Sequence, residues 1–447
     1  MTTETKDSGV KWIGTVPADW TLLKMKHYSY MKGRIGWQGL TADEFIDEGP
    51  YLVTGTDFER GRVCWDRSYH ISEKRYNEAV PIQLKVGDLL VTKDGTIGKL
   101  AYIDELPGKA SLNSHLLVIR PVGEKYINRF LYWVLGSSVF QGYYELVSYG
   151  STMDSLSQEK IGEFEFYAPA IDEQHAIAAF LDAECAKIDS IIDDLERQID
   201  RLTRYEESLI TETVARGLNS KATYTASGIE WIGKIPAHWE TKKLRYLGSL
   251  QNGISKDADS FGSGFPFVSY GDVYNNRSLP QSVGGLVEST KADRQVFSVQ
   301  YGDVFFTRTS ETIEEIGIAS TCLQTIENAT FAGFLIRFRP STSRLSPLYS
   351  KYYFRAEMLR RYFVKEMMIV TRASLGQNLL KNLPVLLPPL DEQEKIGRYL
   401  DMRCADIDSV IADKRLQLSA IRSCRESLIY EYVTGKKRVK EVTSYAD

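Results

Sequence analysis

The chain has 447 residues, 43% hydrophobic and 26% charged, and a formal net charge of −4 at pH 7. These values are ordinary for a folded globular protein, and the mild acidity argues against nucleic-acid binding through overall charge alone. The sequence contains no apolar run near the roughly 18 residues of a membrane span, no signal-peptide pattern and no C-x-x-C pair among its cysteines. We therefore expect a cytoplasmic protein without disulfides or a zinc site.

The chain is an internal duplication. Residues 8–20 read SGVKWIGTVPADW, and residues 227–239 read SGIEWIGKIPAHW. We call this repeated segment the tryptophan motif; its two copies are offset by 219 residues (227 against 8). PAIDEQHAIAAFLD at 169–182 matches PPLDEQEKIGRYLD at 388–401 at the same offset. Such a repeat predicts two similar structural units. The predicted segments are a first domain at 1–168, a helix at 169–220, a second domain at 221–387, a helix at 388–440 and a tail at 441–447.

The middle of each copy, residues 21–168 and 240–387, is predicted to be a mixed α/β domain. Strand-like runs occur at Tyr51–Thr54, Asp88–Thr92 and His115–Arg120, and at Phe265–Ser269, Asp303–Thr307 and Phe334–Phe338. An aromatic-rich helical stretch follows at Ile127–Val147 and at Pro347–Met367. Three segments of the first copy, VGDLLVTK, IRP and TMDSL, are similar to segments of the second, YGDVFFTR, FRP and TRASL, respectively. The two copies differ elsewhere. One fold is therefore expected to carry two different surfaces.

Each copy ends in a long helix with coiled-coil periodicity. The predicted seam residues are Leu181, Ile188, Leu195, Leu202 and Leu209 in the first helix, and Leu400, Ile407, Ile411, Leu418, Ile421 and Leu428 in the second. Their spacing of three and four predicts two coiled-coil helices, each of about 28–44 residues and roughly 40–65 Å long. Because the chain order is domain, helix, domain, helix, the second helix can run back along the first, which makes the pair antiparallel. Cys185 and Cys404 are interpreted as small seam hydrophobes. Asp172 and Asp391 are expected to cap the helices, and Gly217 and Gly435 to end them.

Motifs of catalysis are weak in this sequence. It has no G-x-x-x-x-G-K-[ST] loop, and its histidines form no H-x-x-x-H pair. FGSGF at 261–265 resembles the glycine turn of a methyltransferase, but without an N-P-P-Y partner we interpret it as a flexible loop. Glu240–Thr241–Lys242 has the E-x-K spacing of some nucleases, and its counterpart Thr21–Leu22–Leu23 lacks it. No catalytic residue and no metal ligand is therefore predicted.

Polar turns at matching points of the two copies are the best candidates for ligand contact. They contain Lys93, Asp94, Thr96, Ser151 and Thr152 in the first copy, and Arg308, Thr309, Ser310, Arg372 and Ser374 in the second. Arginine can pair with guanine, and Ser, Thr and Lys suit phosphates. These residues are predicted to contact DNA. The alternative interpretation is a set of ordinary solvated turns.

The doubled W-I-G-x-x-P-x-x-W, G-D-x-x-x-T, S-L and P-x-x-D-E-Q motifs resemble the specificity subunit of a type I restriction–modification system. The resemblance covers nearly the whole chain. It implies two target recognition domains, each reading one half of a split, asymmetric double-stranded DNA site. It also implies a helical spacer that binds two methyltransferase subunits, and motor–nuclease subunits that join for restriction. Adenine-N6 methylation with S-adenosylmethionine, and restriction with ATP and magnesium, would take place on those partners, with no cofactor on this chain.

Two other functions remain open from the residues alone. One is a self-sufficient DNA methyltransferase or nuclease. The other is a coiled-coil scaffold that binds only proteins. Because residues 21–168 carry 17 basic and 19 acidic side chains, weak DNA binding by the isolated chain is expected.

Overall fold

The computed structural model describes residues 4–10, 13–34, 40–148, 156–309, 315–367 and 375–439. The chain divides into two compact units. Unit one contains residues 1–195 and 416–447, and unit two contains residues 196–415. Each unit therefore combines one middle region with part of the first long helix and part of the second.

The strands of unit one, in chain order, are β1 (Thr5–Asp7), β2 (Thr15–Pro17), β3 (Thr21–Lys24), β4 (Ser29–Gly33), β5 (Ile46–Val53), β6 (Phe58–Glu59), β7 (Arg62–Val63), β8 (Tyr69–His70), β9 (Leu89–Thr92), β10 (Leu100–Tyr102), β11 (Ala110–Leu112), β12 (Leu116–Pro121) and β13 (Glu165–Ala168). Its short helices are α1 (Met25–Tyr28), α2 (Glu73–Asn77), α3 (Asn128–Leu135), α4 (Ser138–Ser148) and α5 (Gln158–Glu163). The first long helix, α6, spans Ile171–Arg216.

The strands that follow are β14 (Tyr224–Ala226), β15 (Lys234–Pro236), β16 (Glu240–Lys243), β17 (Gly248–Asn252), β18 (Phe261–Val268), β19 (Gly285–Val287), β20 (Val304–Thr307), β21 (Ala319–Thr321), β22 (Thr330–Phe331), β23 (Leu335–Pro340) and β24 (Pro384–Leu387). The helices are α7 (Tyr270–Asn275), α8 (Lys291–Val296), α9 (Pro347–Tyr353), α10 (Glu357–Met367) and α11 (Gln377–Asn382). The second long helix, α12, spans Leu390–Val433.

The two units have the same sheet topology. A four-stranded antiparallel sheet has the order β10-β9-β12-β4 in unit one and β21-β20-β23-β17 in unit two. A three-stranded sheet has the order β11-β5-β8 and β22-β18-β19, with one parallel pair in each, β11 with β5 and β22 with β18. The central strands β9 and β20 are buried along their whole length, as a strand covered on both faces requires. The predicted mixed α/β class with two similar domains is confirmed.

Two local predictions were wrong. Residues 261–265 are not a loop but the start of β18, where Phe261 and Phe265 both lie opposite Val287 and the residues between them bulge out. Gly262 and Gly264 have φ of +98° and +96°, which an L side chain rarely adopts and which permits the bulge. Each aromatic-rich stretch also forms two helices rather than one, broken between α3 and α4 and between α9 and α10.

The long helices have 46 and 44 residues, so they reach and exceed the upper end of the predicted range. At 1.5 Å per residue they are roughly 65–70 Å long. Gly217 and Gly435 follow their last turns with φ of +73° and +70°, the left-handed conformation of a helix C-terminus. The capping prediction was wrong in position, because Asp172 and Asp391 are each the second helical residue. There they face the positive end of the helix dipole.

The two long helices pair antiparallel within each unit. In unit one the rings of Phe180 and Tyr432 lie 4.5 Å apart and Arg425 Nε lies 2.7 Å from Asp189 Oδ1. In unit two Lys414 Nζ lies 2.5 Å from Gln198 Oε1, and Arg403 bonds Tyr205. In both units the residue number falls along α12 as it rises along α6. The helices therefore run in opposite directions, as the order of domains and helices predicted.

The seam residues are divided between helix pairing and the domain cores. Buried members of the predicted seam are Leu181, Leu195, Leu400, Ile407 and Ile411, and half-buried members are Ile188, Leu202, Leu209, Leu418, Ile421 and Leu428. Leu181 and Cys185 belong to the core of unit one that contains Trp20 and Phe130. Leu400 and Cys404 belong to the matching core of unit two. The ends of the helices are thus part of the globular domains.

The D-E-Q motif attaches each long helix to its domain. Gln393 is fully buried, accepts a bond from Ser346 N at 2.8 Å and donates to Arg344 O and Pro388 O at 2.9 and 2.8 Å. Gln174, also fully buried, bonds the corresponding chain segment of unit one. These bonds fix the start of the long helix against the segment that precedes α3 or α9. The repeated glutamine is therefore a structural residue.

The tryptophan motif closes each unit at the end of a long helix. The Trp239 indole donates to Glu392 Oε2 at 3.1 Å and packs beside Gly217 at the end of α6. Trp20 packs in the same way beside Gly435 at the end of α12. The two ends that the duplication preserves therefore meet in space within each unit.

The aspartate of the G-D motif and the arginine of the R-P motif form a buried ion pair in each domain. Arg120 bonds both carboxylate oxygens of Asp88 at 2.6 and 2.7 Å, and Arg339 bonds both of Asp303 at 2.6 Å. The aspartates are 2% and 0% exposed, so each needs its paired cation. Among the described residues, no helix has the length and apolar character needed to cross a membrane.

Candidate nucleic-acid interface

A threonine at the end of the central strand closes a loop in each domain. Thr92 Oγ1 donates to Thr96 O at 2.5 Å and accepts from Lys99 N at 2.9 Å. Thr307 Oγ1 donates to Glu315 O at 2.7 Å and accepts from Ile318 N at 2.9 Å. These contacts explain the threonine of the G-D-x-x-x-T motif. The motif holds the base of a loop whose remaining residues are free to differ.

A matching backbone bond in each domain brings a leucine beside the loop that follows the central strand. Leu156 N donates to Lys93 O at 2.7 Å, and Leu375 N donates to Arg308 O at 2.7 Å. Leu156 and Leu375 therefore lie beside the loops that follow β9 and β20, respectively. Lys93, Asp94, Arg308 and Thr309 are half-buried at this edge of the sheet, and Thr96 is exposed. The predicted residues Ser151, Thr152, Ser310, Arg372 and Ser374 lie outside the described residues.

Two residues at this edge were missed by the sequence analysis. Lys93 N donates to His115 O, and Arg308 N donates to Phe334 O, both at 2.9 Å, so His115 and Phe334 occupy equivalent positions. The His115 ring lies 2.5 Å from Asp94 and its side chain is 62% exposed. Phe334 is 63% exposed. Both precede a buried strand, which is a signal that could have identified them.

Unit two adds a pair of amides at the same edge. Gln377 Nε2 lies 3.0 Å from Asn252 Oδ1, and Gln377 is two residues beyond Leu375. Amide side chains can make two hydrogen bonds to adenine. The edge of unit two thus offers an arginine, an exposed aromatic ring and amides, whereas that of unit one offers a lysine and a His–Asp pair.

Not every basic residue near this edge is available to a ligand. Arg34, which follows β4, is 4% exposed and donates to Leu112 O at 3.0 Å and to Ser111 Oγ at 3.1 Å. Burial lowers the pKa of Arg34 to about 10, and Arg75 contributes to the shift. Arg34 therefore stabilises the domain rather than presenting charge to solvent.

The nuclease-like spacing at residues 240–242 is accounted for by ion pairs. Glu240 lies on β16 and bonds Arg344 at 2.6 Å, with Lys242 at 3.6 Å. The Arg344 hydrogen bond lowers the pKa of Glu240. Within the described part of the chain, no group of three or more His, Cys, Asp or Glu side chains could hold a metal ion.

Comparison with known proteins identifies the family. The family model of the type I restriction modification DNA specificity domain matches residues 38–201 and 236–412. The chain belongs to this family. The two matches cover the two middle regions of the duplication and parts of both long helices, so the resemblance drawn from the repeated motifs is confirmed.

Individual relatives agree with this family. The type I restriction enzyme EcoKI specificity subunit of Escherichia coli strain K12 is 25% identical over 375 residues, 82% of this chain and 76% of the relative. The putative MjaX specificity subunit of Methanocaldococcus jannaschii is 22% identical over 444 residues, 96% of each chain. A solved structure concerning assembly and conformational transition of the type I R-M system contains a chain with the same fold, with a TM-score of 0.70 and 14% identity over 94% of this chain and 99% of that one.

The protein is accordingly a DNA sequence-recognition subunit of the type I restriction–modification kind. The alternative of a self-sufficient methyltransferase or nuclease is not favoured by these relatives. The assignment of particular side chains to DNA stays a prediction.

Proposed function

We propose that each domain reads one half of a two-part DNA site with the loop edge that follows its central strand. The observation that carries this proposal is the matched pair of backbone bonds, Leu156 to Lys93 and Leu375 to Arg308. The backbone around these two bonds is equivalent in the two domains, yet it carries different side chains. DNA sequence is read through side chains that reach the edges of the bases. Different side chains on equivalent backbone positions therefore favour two different half-sites.

The chain directs chemistry that its partners perform. Two methyltransferase subunits would carry S-adenosylmethionine, and motor–nuclease subunits would use ATP and magnesium. This chain would then be non-catalytic and cytoplasmic, where the complex meets DNA. The relatives, which are specificity subunits of restriction enzymes, support this division of labour. Exposed apolar side chains on the long helices offer a surface for such partners: Ile191, Met402, Val410 and Leu416.

Genome-wide mapping of adenine methylation in cells that express the chain with its partner subunits tests the reading model. We expect K93A combined with T96A to alter or abolish recognition of one half-site only. R308A combined with T309A should affect only the other half. K109A and K291A, which replace exposed lysines elsewhere on the same domains, should leave the methylated sequence unchanged. A change in both half-sites from either double variant would contradict the proposal.

The non-catalytic assignment has a separate test. The purified full-length chain is incubated with S-adenosylmethionine and unmethylated host DNA, with and without magnesium. We expect neither methyl transfer nor cleavage until the partner subunits are added. Activity of the chain alone would favour the enzyme alternative.

A further inference from the structure

The contact between each domain and its helix pair contains a charge arrangement that differs between the units. By the offset of 219, Asp189 of α6 corresponds to Asp408 of α12, and Glu206 of α6 corresponds to Arg425 of α12. The first pair keeps its charge and the second reverses it. Both Glu206 and Arg425 interrupt the apolar seam.

In unit one the cation comes from the helix. Arg425 of α12 bonds both carboxylate oxygens of Asp189 of α6 at 2.7 and 3.3 Å, and its guanidinium lies 5.9 Å from the Trp133 ring centre. Domain one lines this contact with Gly61 and with Arg60, whose guanidinium lies 2.7 Å from Asp193 of α6. A Cβ at Gly61 would stand 2.1 Å from the Tyr132 hydroxyl, so this position has no space for a side chain.

In unit two the cation comes from the domain. Arg277 lies 2.7 Å from Glu206 of α6 and 3.5 Å from Asp408 of α12. The Glu206 side chain is 6% exposed and that of Asp408 is 58% exposed. The helix pair therefore presents two carboxylates, one of them buried, and the domain inserts a guanidinium between them.

Arg277 and Gly61 occupy equivalent backbone positions. Tyr102 N donates to Gly61 O at 2.8 Å, and Thr321 N donates to Arg277 O at 3.1 Å. Tyr102 and Thr321 are themselves equivalent, since each ends the strand that pairs antiparallel with the central strand of its sheet. The exchange is thus reciprocal: arginine on the helix faces glycine on the domain, and glutamate on the helix faces arginine on the domain.

A buried carboxylate requires a cation, and a second cation is tolerated only where it has a carboxylate of its own, as Arg60 has in Asp193. Burial by itself would lower the pKa of Arg277, but Glu206 and Asp408 outweigh that effect and raise it. Placed on the helix pair of unit one, domain two would bring Arg277 against Arg425. Placed on the helix pair of unit two, domain one would present Gly61 at the position of Arg277, with no side chain there to compensate Glu206.

We propose that Arg277, Glu206 and Asp408 form a docking code that assigns domain two to its own helix pair. Arg277 is a positioning residue in this arrangement and does not need to contact DNA. The code goes beyond the proposed function, because it limits which foreign domains can replace domain two. An incoming domain must carry a basic side chain at the position of Arg277.

Charge exchange in the full-length chain tests the code. R277M should leave Glu206 and Asp408 uncompensated, and E206R should oppose Arg277, so each should lower the melting temperature of the chain by about 5 °C or more. The double variant E206R/R277M recreates the pairing seen between Arg425 and Asp189. It should recover most of the loss, which two independent structural defects would not do. R204M, at an exposed ion pair of the same helix, is the matched control.

Methylation mapping with the partner subunits supplies the functional readout. We expect R277M to weaken methylation and E206R/R277M to restore it with an unchanged recognition sequence. A melting temperature unaltered by R277M, or a double variant as unstable as the sum of the single changes, would overturn the code. If E206R fails to fold, E206Q/R277M replaces the double variant. Removing both buried charges should make it more stable than R277M, and the reverse order would refute the proposal.

Discussion

Substitution of Gly217 by alanine measures how tightly the tryptophan motif closes unit two. Gly217 has φ of +73°, and a Cβ there would lie 3.0 Å from Trp239 Cζ2 and 2.8 Å from Glu392 Oε1. The left-handed backbone costs an alanine about 1–2 kcal/mol, and the crowding of a packed indole adds about 1–3 kcal/mol. We therefore expect G217A to reduce the free energy of unfolding by about 2–5 kcal/mol.

Gly228 provides the matched control for this substitution. It has φ of +74° but nothing within 4 Å of a Cβ, so G228A should incur only the backbone cost, about 1–2 kcal/mol. Urea denaturation of the full-length chain, followed by tryptophan fluorescence and by circular dichroism, gives both values. Equal losses for the two variants would show that the indole does not press on Gly217, and the packing argument would then fail.

Three further outcomes follow from buried polar groups. D303N should cost about 3–5 kcal/mol, because it removes the carboxylate that the Arg339 guanidinium bonds twice, and thermal denaturation should show the loss; a neutral substitution would mean that the pair is solvated. Q393M should cost about 3 kcal/mol or more in the same assay, since it leaves three backbone groups without a partner, and only a destabilisation below 1 kcal/mol would be inconsistent with this. Burial, together with Glu206, raises the pKa of Cys404 to about 12, whereas Cys424 of the same helix is exposed. A thiol reagent at pH 8 should therefore label Cys424 far faster than Cys404 in the native chain. Peptide mass mapping would measure the two labelling rates.

Features that depend on local sequence were predictable, and features that depend on sheet register were not. The heptads predicted the long helices, the order of domains and helices predicted their direction, and glycines marked their ends. Only the second half of the strand at 261–268 was predicted, because a glycine bulge hides the alternation of its first half and its partner strands are distant in sequence. The aspartate caps were misplaced, because a helix terminus depends on contacts that local sequence does not specify.

In the candidate interface too, residues that depend on local sequence were predicted and residues that depend on strand pairing were not. Polar turns after a buried strand pointed to Lys93 and Arg308 from sequence alone. His115 and Phe334 could not be placed beside them, because the pairing of β9 with β12 and of β20 with β23 brings together residues more than twenty positions apart. The amide pair of Asn252 and Gln377 joins residues even farther apart in the chain.

Thr92 and Thr307 hold the base of loops that differ in length between the two domains. Five residues lie between Thr92 and Gly98, and nine lie between Thr307 and Gly317. Gly98 N nevertheless donates to Thr92 O, and Gly317 N donates to Thr307 O, both at 2.9 Å. An insertion of four residues has thus been absorbed between fixed ends. If these loops read DNA as proposed, a recognition loop can change in length while the bonds at its base stay the same.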